Sequence, residues 1–528
     1  MPTININETD KTLYGLNENV SDNVVYVPGN AITGPSSSPV LLTSYSEFVN
    51  KFGSHGVEGS LTWEYVAGIL LAGFPVLFKR ITTGTDKNSL VKQAKLEVKY
   101  DDSGFNPEGT KTSFTVMERY GGTYGNSLSF YMERSFNDII AKVKRGNVLV
   151  ESAILATVGS DAENDTITDA IKAKLSDPKT FESITIKLDE TNFKYLVISD
   201  EDSTQSKLSG GTDASNTSID KVIAQAVSND DFGDSPFGEI SDKYVNDVKF
   251  VTSGGYTGED ESDCKAIAKA MDSLCNYRKD CFAIPDSPIE VSADQANTYF
   301  NSANLSSYSA NYAPWFLMNL DTRNTEWMPP SFIFLTALAD AVTKNNVPLW
   351  YPPAGVARMQ VTRAIEPRYE IGGALMNKWQ QDDKQSINPI MKIRGYGYCV
   401  YGQRTLYTPT STTSSALKAV NVRLTANEIK RRIFNVSIGL TFEQNVIYTW
   451  NTFVSRLEPL LISMKSDNGL YDYQIIMDRS TITNNDINNQ KAVGIVRVSV
   501  VNAIEHFDIG FELEPYGVTF TSEATEIQ

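Results

Sequence analysis

The chain is poor in histidine and cysteine: 528 residues include only two histidines, His55 and His506, and four cysteines. Ser-His-Asp chemistry needs an imidazole that takes a proton near neutral pH and is held by a carboxylate. His55 sits in Phe52-Gly-Ser-His-Gly, a turn-like loop, and His506 lies in a strand-like run between Glu505 and Phe507, so both read as structural or solvated side chains. Cys264 and Cys275 are eleven apart, which puts them on one face of a helix, while Cys281 and Cys399 stand alone. That gives no metal spacing and no disulfide framework, and a reducing cytoplasm suits such thiols. Positive charge is also scarce. The formal net charge is −17, which argues against nucleic acid or an anionic membrane as the main partner. Long apolar runs are missing: Val66 to Phe78 is broken by Gly68, Gly73 and Pro75 and falls short of the ~20 residues that span a bilayer. Met1-Pro-Thr-Ile-Asn-Ile-Asn-Glu has neither a basic start nor an apolar run, so no secretion signal is expected.

Ligand-holding loops are absent as well. The Ser-Gly-Gly sequences at 209–211 and 253–255 lack the helix-opening spacing of a phosphate loop. Asp230-Asp231 and Asp382-Asp383 lack the further ligands of a hard-cation loop. No catalytic, cofactor-binding or metal-binding residue is expected, and no cofactor.

What is present is an ordinary globular composition, 41% hydrophobic and 21% charged, in a chain long enough for about three or four domains. Residues 1–22 form a polar extended segment in which Ile4 and Ile6 alternate with Asn5 and Asn7. In 23–89, strand Pro39-Val-Leu-Leu, helix Leu61–Ala72 and buried strand Pro75–Ile81 make an α/β segment. Residues 90–202 carry short alternating runs, Leu96–Tyr100, Phe114–Glu118, Ser127–Met132 and Ile184–Leu188, between turn residues, the texture of a β-sandwich. An acidic linker with one helix is expected over 203–241. A second α/β domain over 242–387 begins with a helix over Glu259–Cys281, for which Thr257 and Asp260 form a capping pair, followed by strand Cys281–Ile284 and helix Ser331–Lys344. A C-terminal α+β domain over 388–507 has a helix from Thr425, a second around Trp450 to Leu461 that Pro459 must kink or shorten, and strands Tyr471–Asp478 and Val493–Val501. The last segment, 508–528, opens on an alternating strand with Ile509, Phe511 and Leu513 on one face.

Two features bear on partners. From Asp200 to Asp263 there are fifteen acidic and four basic residues, and from Asn388 to Leu440 eight basic residues and one acid, Glu428. These are either two differently solvated surfaces or charge-matched contacts. Both ends of the chain read as strands outside a compact core, either frayed termini or strands that pair with another chain's sheet edge.

Several motifs, in order along nearly the whole chain, resemble those of phage tail sheath proteins. They are Pro39-Val-Leu-Leu-Thr-Ser-Tyr-Ser-Glu-Phe-Val-Asn-Lys-Phe-Gly; Tyr120-Gly-Gly-Thr-Tyr-Gly-Asn, with Gly121 where the family has proline; Leu208-Ser-Gly-Gly-Thr-Asp; Ile387-Asn-Pro; Gly397-Tyr-Cys-Val-Tyr-Gly-Gln-Arg-Thr-Leu; Val420-Asn-Val-Arg-Leu; and Phe442-Glu-Gln-Asn. The family's Pro-Pro-Ser-Gly segment stands here as Tyr351-Pro-Pro-Ala-Gly, and the stretch that follows it in the family is not recognisable. The resemblance implies a subtilisin-like domain without catalytic residues over 242–387, an inserted β-sandwich, a tube-facing C-terminal domain and terminal arms at 1–22 and 508–528. It implies a structural protein of the virion tail, made in the host cytoplasm. Its partners would be itself, in stacked hexameric rings, the tail tube, the baseplate and the tail terminator, with no nucleic acid and no membrane insertion. Ile4, Ile6, Ile509, Phe511 and Leu513 are then subunit-interface candidates, and Lys430, Arg431 and Arg432, consecutive on a predicted helix of the basic region, are tube-facing candidates. A subtilisin-like peptidase, the alternative enzyme class, requires a histidine between 242 and 400, where there is none. The sheath of a phage-like bacteriocin or injection machine would use the same physics.

Overall fold

The computed structural model describes residues 23–504, apart from 103, 159–163, 199–205, 226–231, 234, 321, 323, 381–384 and 409–414. It contains two compact units, divided between Gln444 and Asn445.

The first unit is built on apolar runs that alternate between two cores. Strand β1 (Val25–Gly29) is followed by β2 (Val40–Leu42), helix α1 (Tyr45–Phe52), helix α2 (Thr62–Ala72) and β3 (Val76–Arg80). Ser44 caps α1 by accepting the Glu47 amide, and Glu47 in turn accepts the Thr43 amide. Gly73, at φ 103, ends α2 in the left-handed region. Val25, Val27, Val76 and Phe78 pack on α2, while Tyr26 and Leu77 point to the opposite core, as strands buried on both faces require.

Between β3 and the rest of that sheet the chain makes a mainly β excursion: β4 (Lys95–Asp101), β5 (Gly104–Phe105), β6 (Lys111–Glu118), β7 (Leu128–Ser135), β8 (Asp138–Arg145), β9 (Val148–Thr157), helix α3 (Asn164–Ser176) and β10 (Ile184–Leu188). The sheets β10-β6-β4-β5 and β7-β8-β9 are antiparallel and share one core around Phe114, Phe130, Val116 and Ala141. The neck of this excursion is formed by two of the motifs singled out above. Gly122 accepts nothing larger, because a Cβ there would collide with the Ile32 carbonyl oxygen. Asn126 exchanges hydrogen bonds with Gly211 (2.9 and 2.8 Å), joining Tyr120–Asn126 to Leu208–Asp213. Arg80 ties the first of these, and the loop after β1, to β3: it donates to the carbonyls of Ala31, Gly34, Tyr120 and Gly121 at 3.0, 2.7, 3.1 and 2.6 Å. Burial draws its guanidinium down to about 10, with Glu118 and Asp213 holding it up, so it stays charged.

The chain then runs through helix α4 (Asn216–Ile223), β11 (Phe250–Val251), helix α5 (Glu261–Arg278) and β12 (Phe282–Ala283). The central sheet is β12-β11-β1-β3-β2, parallel but for β2. Helices α4 and α5 cover one face with Ile219, Val222, Ile267, Met271 and Leu274. The stretch expected as a linker over 203–241 is therefore packed: Ile219, Ile223, Phe237 and Ile240 are buried core. Asp260 alone caps α5, accepting the Ser262 and Asp263 amides at 2.8 and 2.9 Å, in place of the expected pair with Thr257.

Beyond β12 come α6 (Ala293–Tyr299), β13 (Asn311–Ala313), β14 (Phe316–Asn319), β15 (Thr325–Met328), α7 (Pro330–Asn345), β16 (Ala364–Pro367), α8 (Gly373–Trp379), β17 (Ile387–Ile393), β18 (Gly397–Val400) and α9 (Val420–Ile438). Helix α7 begins on a proline at its first position and crosses α2 so closely that a Cβ on Gly68 would strike the Phe332 ring. The boundary expected at 388 is not where the structure divides. Strand β17 pairs parallel with β13, and Val420 and Leu424 of α9 lie in the same core as α2. Helix α9 also starts five residues before Thr425.

The second unit has α10 (Ile447–Ser466), β19 (Leu470–Ile476), α11 (Asn484–Asn488) and β20 (Ile495–Val500). Pro459 neither ends nor shortens α10, since it and Ser455, whose carbonyl loses its partner, both face solvent. The expected strand at 508–514 lies outside the described residues.

Candidate interaction surfaces

Ser331 and Asp286 are engaged in structure. Ser331, at the first turn of α7, donates its hydroxyl to Asp286 at 2.5 Å, takes part in a 2.7 Å bond with the Tyr65 hydroxyl, and is fully buried. Asp286 also accepts the Ser331 amide at 2.8 Å, so it works as a cap. Burial pushes its carboxyl up to about 7, against the lowering effect of Ser331. His55 is exposed and lies 3.5 Å from the Ser54 hydroxyl, while His506 is outside the described residues. Cys281, expected alone, has its sulfur 3.1 Å from that of Cys275, and the four cysteines are buried free thiols. Among the described residues no cluster of histidine, cysteine, aspartate or glutamate is arranged to hold a metal, and no helix is long and apolar enough to cross a membrane.

The basic triplet lies where α9 leaves the interior. Arg431 is buried, donating to the Val248 carbonyl at 3.1 Å and pairing with Asp247 at 2.5 Å. Arg432 is half-buried and donates to Glu428 at 2.8 Å. Lys430 is half-buried, donates to the Tyr308 hydroxyl at 2.8 Å and lies over that ring. Burial pushes the Glu428 carboxyl up, but Lys249 at 3.1 Å together with Arg432 and Arg431 outweighs it and holds it down at about 2. Three consecutive positions on a helix point in three directions, and here each meets a partner within the subunit.

In the second unit both described strands are edges. Strands β19 and β20 form a two-stranded antiparallel ribbon, a unit too small to be stable by itself. Tyr471, Ile495 and Val498 on it are exposed, as are Ile447, Tyr448 and Ile462 of α10. Only Trp450, Phe453, Leu457, Leu461 and Met464 of α10 are buried. In the β excursion, β9 is another edge, with Val148, Leu149 and Ile154 exposed. Ile4, Ile6, Ile509, Phe511 and Leu513 lie outside the described residues.

The overall fold is similar to that of sheath proteins of contractile particles. A sheath tail protein of Listeria innocua superposes with a TM-score of 0.57 at 12% identity, over 91% of this chain and 95% of that one. The helical sheath of the anti-feeding prophage, in its contracted state, gives 0.51 at 13% identity over 97% and 99%. In sequence the chain is similar to the tail sheath protein of Enterobacteria phage T4, 25% identical over 301 residues, which is 53% of this chain and 44% of that protein. It is also similar to that of Vibrio phage KVP40, 24% identical over 299 residues, 52% of this chain and 43% of that protein. The match thus spans less than half the length of either phage protein. No family model matches the chain.

Proposed function

We propose that the chain is the structural subunit of a contractile phage tail sheath. It polymerises as stacked hexameric rings around a tail tube, bounded by baseplate and tail terminator, and contracts to drive the tube through the host envelope. The observation that carries this reading is the second unit: a two-stranded ribbon with exposed apolar side chains, in a chain whose overall fold is similar to that of sheath proteins. Such a ribbon gains stability when further strands are added. Residues 1–22 and 508–528 are the arms that supply them, with Ile4 and Ile6 at one end and Ile509, Phe511 and Leu513 at the other as the buried contacts. Each large side chain covered is worth ~1.5–3 kcal/mol, and many modest contacts around a ring add up through linkage. The α/β core is read as a subtilisin-like domain that has kept the layers without the catalytic groups. Contact with an acidic tube surface falls to Lys430 and Arg432, because Arg431 is buried. The sheath of a bacteriocin-like or injection particle is the second reading, supported by the likeness to the anti-feeding prophage sheath.

Electron microscopy of the purified full chain and of a chain lacking residues 1–20 tests the proposal. The full chain forms striated tubes or rings, and the truncated chain stays folded but forms no long tubes. Dispersed monomers from the full chain, or tubes of normal length from the truncated one, would contradict it.

A further inference from the structure

A groove of about 520 Å³ runs between residues 243–247 and the second half of α9. Phe434 forms its floor, with its ring centroid 5.1 Å from that of Tyr244 and 4.4 Å from the Lys243 ammonium. Tyr244, Val245 and Ile438 are 73%, 76% and 46% exposed, although they are large apolar side chains. The rim is cationic. Arg431 pairs with Asp247 and Arg278 with Asp280, but Lys243, Lys279 and Lys430 have no carboxylate partner among the described residues. An apolar floor inside a positive rim fits a short apolar segment with acidic neighbours.

The sequence that precedes Asn23 is such a segment. Lys249 donates its ammonium to the Asn23 side chain at 3.1 Å and its amide to the Val24 carbonyl at 2.9 Å. The preceding carbonyl, that of Val248, is the one bound by Arg431 of the groove. The described chain therefore begins at Asn23, bonded to Lys249, which lies two residues beyond Asp247 of the groove. Residues 1–22 contain Leu13, Tyr14 and Leu16, and they carry Glu8, Asp10, Glu18 and Asp22 against a single Lys11. A tether this short sets an effective concentration in the millimolar range, enough to fill a weak seat.

We propose that in the free subunit residues 1–22 dock in this groove of their own chain, with Leu13, Tyr14 and Leu16 over Phe434 and the acidic side chains against Lys243 and Lys279. The segment is released when a neighbouring sheet edge competes for it, so an unassembled subunit keeps its arm covered. The release step rests on the sheath reading. The docking does not.

The test uses the full chain at a concentration where it is monomeric, with a photoreactive benzophenone amino acid at Tyr14, in an equal mixture of normal and ¹⁵N-labelled protein. The expected crosslinks join Tyr14 to 243–247 or 430–438 within molecules of one isotope. The Lys243→Glu, Val245→Asp double variant, altered only at exposed positions, loses most of that yield. Removing residues 1–22 speeds amide exchange in 243–247 and 434–438 by about threefold or more. Mixed-isotope crosslinks would assign the groove to a second copy and overturn the proposal. Groove exchange indifferent to the truncation would also overturn it, whether or not the full chain forms tubes.

Discussion

Helices α2 and α10 belong to the same chain and differ in how much of themselves they bury. Ten of the eleven residues of α2 are buried, including Glu64, whose carboxylate accepts from Thr322 and Asn324. Five of the twenty residues of α10 are buried. The first helix lies between a five-stranded sheet and α7; the second belongs to a unit whose sheet has two strands. A segment buried on all sides is complete within one subunit, whereas a segment apolar on faces that meet water is completed by something else. On the proposed sheath reading, the first unit would be the body of the subunit and the second the part that awaits a partner.

The comparison breaks most visibly at Arg80. Replacing it by Met leaves three buried carbonyls and a part-buried one without this donor at the neck between the central sheet and the β excursion. The expected loss is about 3–5 kcal/mol, read as a lower midpoint of urea unfolding for the first unit. A similar exchange at Arg456 of α10, which is exposed, shifts the midpoint by no more than about 0.5 kcal/mol. Equal effects at the two sites would remove the distinction between the units.

Asp286 gives the next effect. Its carboxyl sits at about 7 in the folded chain against an ordinary value of 3.8, so between those values the folded state holds the proton that the unfolded state gives up. The contribution is complete below about pH 4 and is lost as pH rises through 7, on the order of 4 kcal/mol across the window. Asp286→Asn keeps an acceptor for the Ser331 amide and flattens the dependence of unfolding free energy on pH between 4 and 7. A variant with the same slope as the wild type would place the titration elsewhere.

How far the sequence reveals this division depends on whether a signal is local. Helix α2 and strand β3 are legible because an apolar run is bounded by Gly73 and Pro75, and α7 because Pro329-Pro330 opens an apolar stretch. Strands β8 and β9 are missed although Gly146, at φ 57, marks their turn; β9 is mostly exposed and its pattern weak, whereas β8 alternates half-buried and buried residues and is legible in principle. The start of α9 is misjudged because Val420-Asn-Val-Arg-Leu alternates like a strand, while its burial in the first core comes from tertiary packing. For the same reason the domain boundary falls at 444 and not at 388. The basic triplet is visible in the sequence, but its partners Asp247, Glu428 and Tyr308 are mostly far away in the chain. The neck motifs stand out by resemblance, and only the structure shows that Asn126 and Gly211 bind each other.

Amide hydrogen exchange in β19 and β20, measured in the free subunit and in assembled tubes, tests the account most directly. Strands that await partners exchange quickly in the free subunit, faster than β1 and β3, and slow by about tenfold or more on assembly as their edges are paired. If β19 and β20 exchange as slowly as β1 in the free subunit, or exchange at the same rate in tubes as in monomers, the second unit is not the part that awaits a partner.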